Sequence, residues 1–401
     1  VTEPTTAVAC AERLYAALAA GDAGTLDELL DQEFIGVTTP GLPFDLGGRY
    51  HGAEQMRDDF WWRIGKHFKA SAHPERFEAL ADGRLQVSGR YLGSGRGSGR
   101  ALDAGFVHML SFRDGRIASL EQITDAGAWR TAAGEPVALA TIDYRVDGDG
   151  LAHVVLNRPD RANAIDLQLA EDTLAVAREL SADRSVRAVL IRGNGPALTV
   201  GGDIDFFTSE AEAGAYGSLL ERMTTPFHQA FSLLSRLDVP ILTAAHGSIA
   251  GGGLGYVYAS DLCIAADNAR FVTAFAGIAL SGDGGGTWHL PRLVGAKRAA
   301  DIYLRNPVVT ADQALAWGMV NEVVPVADLE DRATTVARSL AAGPTRAYGR
   351  MRQLLRQSWT SSLDDQLAAE TAGVRSTGDT ADAAEGIQAF LDKRPPRFEG
   401  R

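Results

Sequence analysis

Cysteine is nearly absent: Cys10 and Cys263 are the two in 401 residues, and they stand far apart. A disulfide framework is excluded, and neither cysteine has the spacing of a metal ligand. Basic residues are also short in number, 39 Lys and Arg against 51 Asp and Glu, giving a formal charge of −12. A general nucleic-acid or anionic-membrane surface is therefore not expected. No run approaches the roughly 20 apolar residues that a membrane-spanning helix needs. Val1 to Ala9 lack both a basic start and a long apolar stretch. A signal peptide is thus not expected, and a cytoplasmic location is.

Glycine, by contrast, occurs 44 times, and its placement carries the chemistry. In Ala244-Ala245-His246-Gly247-Ser248-Ile249-Ala250-Gly251-Gly252-Gly253-Leu254-Gly255 a buried-looking strand runs into three glycines that open a helix. Upstream stands Ala197-Leu198-Thr199-Val200-Gly201-Gly202-Asp203-Ile204. Without Cβ atoms, backbone N–H groups at such a helix start can approach a carbonyl oxygen and stabilise an enolate. A third segment, Ser281-Gly282-Asp283-Gly284-Gly285-Gly286-Thr287-Trp288, puts a carboxylate before another glycine run. On its own, such an aspartate is as often a helix cap as a reactive group.

The paired glycine segments resemble the crotonase (enoyl-CoA hydratase/isomerase) superfamily, from about Ile142 to the end of the chain. Leu156-Asn157-Arg158-Pro159, Arg161-Ala162-Asn163-Ala164 and the closing Ala389 to Phe398 support the resemblance. It implies an α/β crotonase (ClpP/crotonase) spiral fold and an oxyanion hole built from the backbone amides of Val200 and Gly252. It also implies coenzyme A thioesters as substrates, with CoA as part of the substrate and no separate cofactor or metal. The Arg158 to Ala164 loop, with Arg161, Ala162 and Ala164, and the Asp203-Ile204 backbone would hold the nucleotide end. The basic tail Lys393 to Phe398 is expected to reach a neighbouring subunit's nucleotide, and a homotrimer or hexamer is the expected assembly.

Hydratases of that superfamily carry two glutamates, whose positions here are Gly255 and Phe275. Neither can take a proton, so the resemblance points to its isomerase branches, including the epoxyphenylacetyl-CoA isomerases. There Asp283 is the matching base, shuttling a proton beside an apolar wall expected from Phe271, Phe275 and Trp288. Phe206, Phe207, Tyr216, Met223 and Phe227 are candidates for the acyl pocket. His246 and His289 read as structural donors. Other enolate chemistry on a polyketide-like thioester, or a binding protein without catalysis, stays open as an alternative.

The boundary falls near Thr131 to Ala140, where Gly134 and Pro136 break periodic structure. Residues 1–133 are expected as one domain, 134–140 as a linker and 141–401 as the second domain. The first domain reads as α+β. Helical runs through Val8 to Leu18 and Thr25 to Leu30 precede a strand at Phe34 to Thr38 and a helix at about Ala53 to Phe68. Strands then follow at Phe77 to Leu80, Leu85 to Leu92, Ala104 to Phe112 and Ile117 to Ile123, with Asp114-Gly115 as a hairpin turn. This order resembles the cone-shaped SnoaL-like, ketosteroid-isomerase-like fold. By that resemblance Tyr15 and His108 match oxyanion donors of the cone's cavity, whereas the general-base aspartate has no counterpart. Asp125 or His51 could take that base's place, though capping or surface roles suit both better.

Overall fold

A computed structural model describes residues 4–211 and 215–400; Val1 to Glu3, the start of the stretch read for a signal peptide, lie outside the described residues. The chain divides into two compact units, residues 1–137 and 138–401, with residues 182–184 grouped with the first. Among the described residues no helix is long and apolar enough to cross a membrane.

The first unit opens with the helix Pro4–Ala20, whose Leu14 and Tyr15 are buried. Asp22 caps the next helix, Ala23–Leu29, by accepting from Thr25 N at 3.1 Å, which satisfies one of the amides a helix start leaves open. Strands β1 (Leu30–Thr38) and β2 (Gly48–His51) come next, then a helical stretch from Gly52 to His67. Four long strands follow: β3 (Phe68–Ala79), β4 (Leu85–Gly95), β5 (Ala101–Arg113) and β6 (Arg116–Thr124). They form one six-stranded sheet in the order β2-β1-β6-β5-β4-β3. Asp114 and Gly115 at φ 51° and 77° make the tight turn between β5 and β6, a conformation whose twist matches that of the paired strands.

Strand β3 begins nine residues before the expected Phe77, since Pro74 reads as a breaker. It lies at the sheet edge, and the register shifts between Pro74 and Arg76, so the missing N–H of proline interrupts no interior ladder.

The second unit begins where Asp172 accepts three hydrogen bonds, from Ala140 N, Thr141 N and Thr141 Oγ1, at 2.7–2.8 Å. Its strands are β7 (Ile142–Val146), β8 (Leu151–Leu156), β9 (Ala188–Gly193), β10 (Ile241–Ala245), β11 (Ser248–Ala250), β12 (Leu262–Ala266), β13 (Arg270–Val272), β14 (Val309–Thr310) and β15 (Glu322–Val324). Six of them form a sheet in the order β15-β12-β10-β9-β8-β7, parallel except for the β7–β8 hairpin, and β11-β13-β14 form a second, small sheet. Every residue of β8 and β10 is buried, as expected for parallel strands covered on both faces. Sequence alternation is absent there for the same reason. Helices Leu167–Ala182 and Tyr216–Arg236 supply Leu169, Leu174, Phe227 and Phe231 to the core beside this sheet.

Candidate active site

Two glycine-bearing segments are zipped together by backbone hydrogen bonds. Leu198 N donates to His246 O at 2.9 Å, Thr199 N to Ser248 O at 3.2 Å and Ala250 N to Thr199 O at 3.1 Å. Thr199, wholly buried, also donates its hydroxyl to Asn163 O at 2.7 Å. The ladder sets Val200 and Gly252 on the rim of one cavity of about 220 Å³. Its walls are apolar, with Phe207, Leu220, Met223, Phe227 and Phe275 among them, and among the described residues Asp283 is the one charged side chain that lines it.

Gly252 N–H has no acceptor among the described residues, as befits the start of the short 3₁₀ turn Gly251–Leu254. Val200 does not match expectation. Its N–H donates to Ala162 O at 3.1 Å, so the two amides assigned to the oxyanion hole are not equally open. The cause is local: Ala162 and Asn163 both stand at positive φ, 48° and 54°, and the turn they make aims the Ala162 carbonyl at Val200.

Asp283 reaches this rim closely enough that a Cβ on Gly252 would lie 2.6 Å from Asp283 Oδ1. Only glycine leaves that space. The same Oδ1 is buried without a hydrogen-bond partner. Desolvation pushes the carboxyl up to about 6 from its ordinary 3.8, because burial disfavours the charged form. The Asp283 carbonyl accepts from Gly286 N at 3.1 Å, closing the turn before the helix Gly286–Val294. Asp283 is therefore not a helix cap through its side chain.

The wall expected from three aromatics comes from one. Phe275 lines the cavity, Phe271 is sunk in the core, and Trp288 faces outward against Trp359 at a ring separation of 4.4 Å. Of the acyl-pocket candidates, Phe207, Met223 and Phe227 line it, whereas Phe206 and Tyr216 do not. His246 Nε2 lies 3.0 Å from Gly195 O, and His289 stacks on Tyr258, both structural roles.

Around the expected nucleotide loop, Arg158 is already engaged. Its guanidinium bonds Ala164 O and pairs with Asp166 at 3.0 Å and Asp203 at 3.2 Å. Asp203 in turn caps the helix Ile204–Glu210 through Phe206 N at 3.2 Å. Arg161 is half exposed and pairs with Asp205 at 2.9 Å, leaving it the more accessible cation of the two. Ile204 is 51% exposed beside it. Within its own chain the basic tail is tied down by several bonds. Arg394 makes a two-pronged pair with Glu385, Phe398 O accepts from Arg187, and Asp382 accepts from Glu399 N and Gly400 N at 2.7 and 2.8 Å.

In the first unit Tyr15 and His108 do come together, but they bond each other. Tyr15 OH lies 2.8 Å from His108 Nδ1, and Tyr91 OH lies 2.9 Å from His108 Nε2. Gln122 Nε2 donates to Tyr91 OH at 2.8 Å. Burial lowers His108 to about 3 and raises both tyrosines, so the imidazole is neutral and has one N–H for its two partners. Tyr91 and Gln122 escaped the sequence reading because alternation along a strand marks which residues face inward, not which of them bond. Asp125 caps the helix Ala126–Ala133 through Ala128 N at 3.1 Å, and His51 is exposed.

This fold is that of a crotonase. Residues 147–401 match the family described as Enoyl-CoA hydratase/isomerase, and residues 11–120 match the SnoaL-like domain. The chain belongs to the enoyl-CoA hydratase/isomerase family, with a SnoaL-like domain at its start. It is 35% identical over 254 residues to the 1,2-epoxyphenylacetyl-CoA isomerase of Escherichia coli K12, covering 63% of this chain and 96% of that one. It is 32% identical over 245 residues to 4-chlorobenzoyl coenzyme A dehalogenase-2 of an Arthrobacter species, covering 61% and 88%. Among solved structures, the enoyl-CoA hydratase of Bacillus anthracis superposes with a TM-score of 0.61 at 26% identity, covering 65% of this chain and all of that one.

Proposed function

We propose that the second unit is an acyl-CoA isomerase in which Asp283 moves a proton between two carbons of a thioester. The observation that carries this reading is the Asp283 carboxylate, with one oxygen unpaired, standing beside Gly252 in an apolar cavity with no second carboxylate in its lining among the described residues. The thioester oxygen takes the Gly252 N–H and competes with Ala162 O for the Val200 N–H. Each such donor contributes roughly 3 kcal/mol to an enolate once charge develops. Asp283, raised toward neutrality, removes a proton from the carbon next to the thioester, or from one conjugated with it, and returns it elsewhere.

Hydration fits the site poorly. A water needs its own general base and acid, and the two positions that hydratases use are filled otherwise. A Cβ on Gly255 would lie 2.2 Å from the Phe231 ring, and Phe275 forms the cavity wall. The E. coli relative, named an epoxyphenylacetyl-CoA isomerase, agrees with this choice.

Self-association belongs to the same reading. The helices Leu363–Gly378 and Ala381–Leu391 leave Leu363, Val374, Ile387 and Phe390 between 66% and 82% exposed, an apolar density that a second copy of the chain would cover. The test of function is proton exchange. The protein is incubated in deuterated water with enoyl-, phenylacetyl- and β-keto-acyl-CoA esters, and deuterium entry is followed by mass spectrometry. Exchange lost in Asp283→Asn, with thioester binding kept, supports the reading; exchange that survives the substitution removes Asp283 as the base.

A further inference from the structure

His228 lies on the helix Tyr216–Arg236, 56 positions before Gly284, and accepts the Gly284 N–H on its Nε2 at 3.1 Å. We infer that His228 is a positioning residue, whose ring holds the peptide that follows Asp283 and so fixes where that carboxylate stands against Gly252. The inference rests on Asp283 being the proton-transfer group.

Three observations converge on it. The turn needs an anchor: Gly284 and Gly285 stand at φ 61° and 76°, and a run of glycines has little side-chain packing to hold one conformation. The anchor acts at the reacting end, because Gly284 abuts Gly252 so closely that a Cβ there would lie 2.6 Å from Gly252 O. Any drift of this peptide changes the approach of Asp283 to the Gly252 amide. Finally, His228 acts from behind. Its helix sends Leu220, Met223, Thr224 and Phe227 to the cavity, and His228 is not part of the lining.

The bond also fixes the state of the ring. An acceptor Nε2 carries no proton, so the neutral imidazole bears its hydrogen on Nδ1. Desolvation disfavours the His228 cation, in keeping with that form, although the residue keeps an exposed side. An imidazolium or an apolar group at 228 would leave the buried Gly284 N–H without its acceptor.

The test compares His228→Ala with His228→Gln, whose Oε1 can take the place of Nε2, and reads the tautomer in the unsubstituted protein. The proposal expects kcat to fall on the order of 10²-fold in the alanine variant with KM little changed, because displacement of a reacting group by about 1 Å has that effect. Glutamine restores kcat to within a few-fold. Nitrogen NMR of the histidine-labelled protein, with the His228 signal assigned by its loss in the glutamine variant, should give Nδ1–H with bare Nε2. A glutamine variant as slow as alanine would overturn the proposal in favour of a ring that transfers protons. An unchanged alanine variant, or an Nε2–H tautomer, would overturn it outright. If no thioester supports exchange, the isomerase reading fails by itself, while the tautomer still decides whether this bond exists.

Discussion

Replacing Asp283 by asparagine should make the protein more stable while it stops turnover, and the gain should depend on pH in a calculable way. Burial raises the carboxyl from 3.8 to about 6. A carboxyl with a higher pKa in the folded chain than in the unfolded one favours folding when protonated. That contribution is complete below 3.8 and is lost as pH rises through 6. At ~1.36 kcal/mol for each tenfold change in proton affinity, the full loss is about 3 kcal/mol. Asparagine has no charge to desolvate. Its advantage from this source is about 2 kcal/mol at pH 5 and about 3 kcal/mol at pH 8, a growth of about 1 kcal/mol that does not depend on how well the amide itself packs. Urea unfolding of both proteins at the two pH values, followed by circular dichroism, measures this growth. A difference that stays constant, or shrinks toward pH 8, would refute a buried carboxyl held near neutrality. In the unsubstituted protein, kcat/KM should rise tenfold per pH unit below about 6 and level off above it, as the base loses its proton.

Gly252→Ala places a methyl carbon 2.6 Å from Asp283 Oδ1, inside van der Waals contact. Turnover should fall by about 10²-fold or more, read by steady-state kinetics. Gly255→Ala drives a methyl into Phe231 at 2.2 Å and should cost about 1–3 kcal/mol by overpacking. Adding Phe231→Leu should recover part of that in the same urea assay. The intact protein should sediment well above its chain mass of 42.6 kDa. Phe390→Asp combined with Val374→Asp should move it toward that mass, and an unsubstituted protein that sediments as one chain would remove the self-association reading.

What the sequence displayed was the chemistry that is local along the chain. The glycine triplet, Asp283 before its glycines and the absence of glutamate at 255 and 275 can each be read within a dozen residues. The hairpin at Asp114-Gly115 is legible for the same reason, since two left-handed residues in succession have few other uses. What escaped depends on contacts between distant segments. His228 sits on the exposed side of an amphipathic helix, where periodicity gives it no reason to stand out. The engagement of Val200 by Ala162 is a backbone matter that no side chain signals. Arg158 looked available for a ligand because its partners Asp166 and Asp203 are unremarkable carboxylates in the sequence. Trp288 looked like an active-site wall by proximity to Asp283, yet five residues of turn and helix are enough to face it outward.

The contact between Gly255 and Phe231 also bears on how this chain could change its chemistry over generations. A single substitution that supplied a carboxylate at 255, one of the two hydratase positions, would meet an aromatic ring in the space its first carbon needs. The ring would have to shrink beforehand, and removing a buried phenyl group without a replacement typically costs 3–5 kcal/mol, a large part of an ordinary domain's stability. Descendants that keep Phe231 are thus closed to a carboxylate at 255, and that position opens only through an intermediate that is less well folded and no more active.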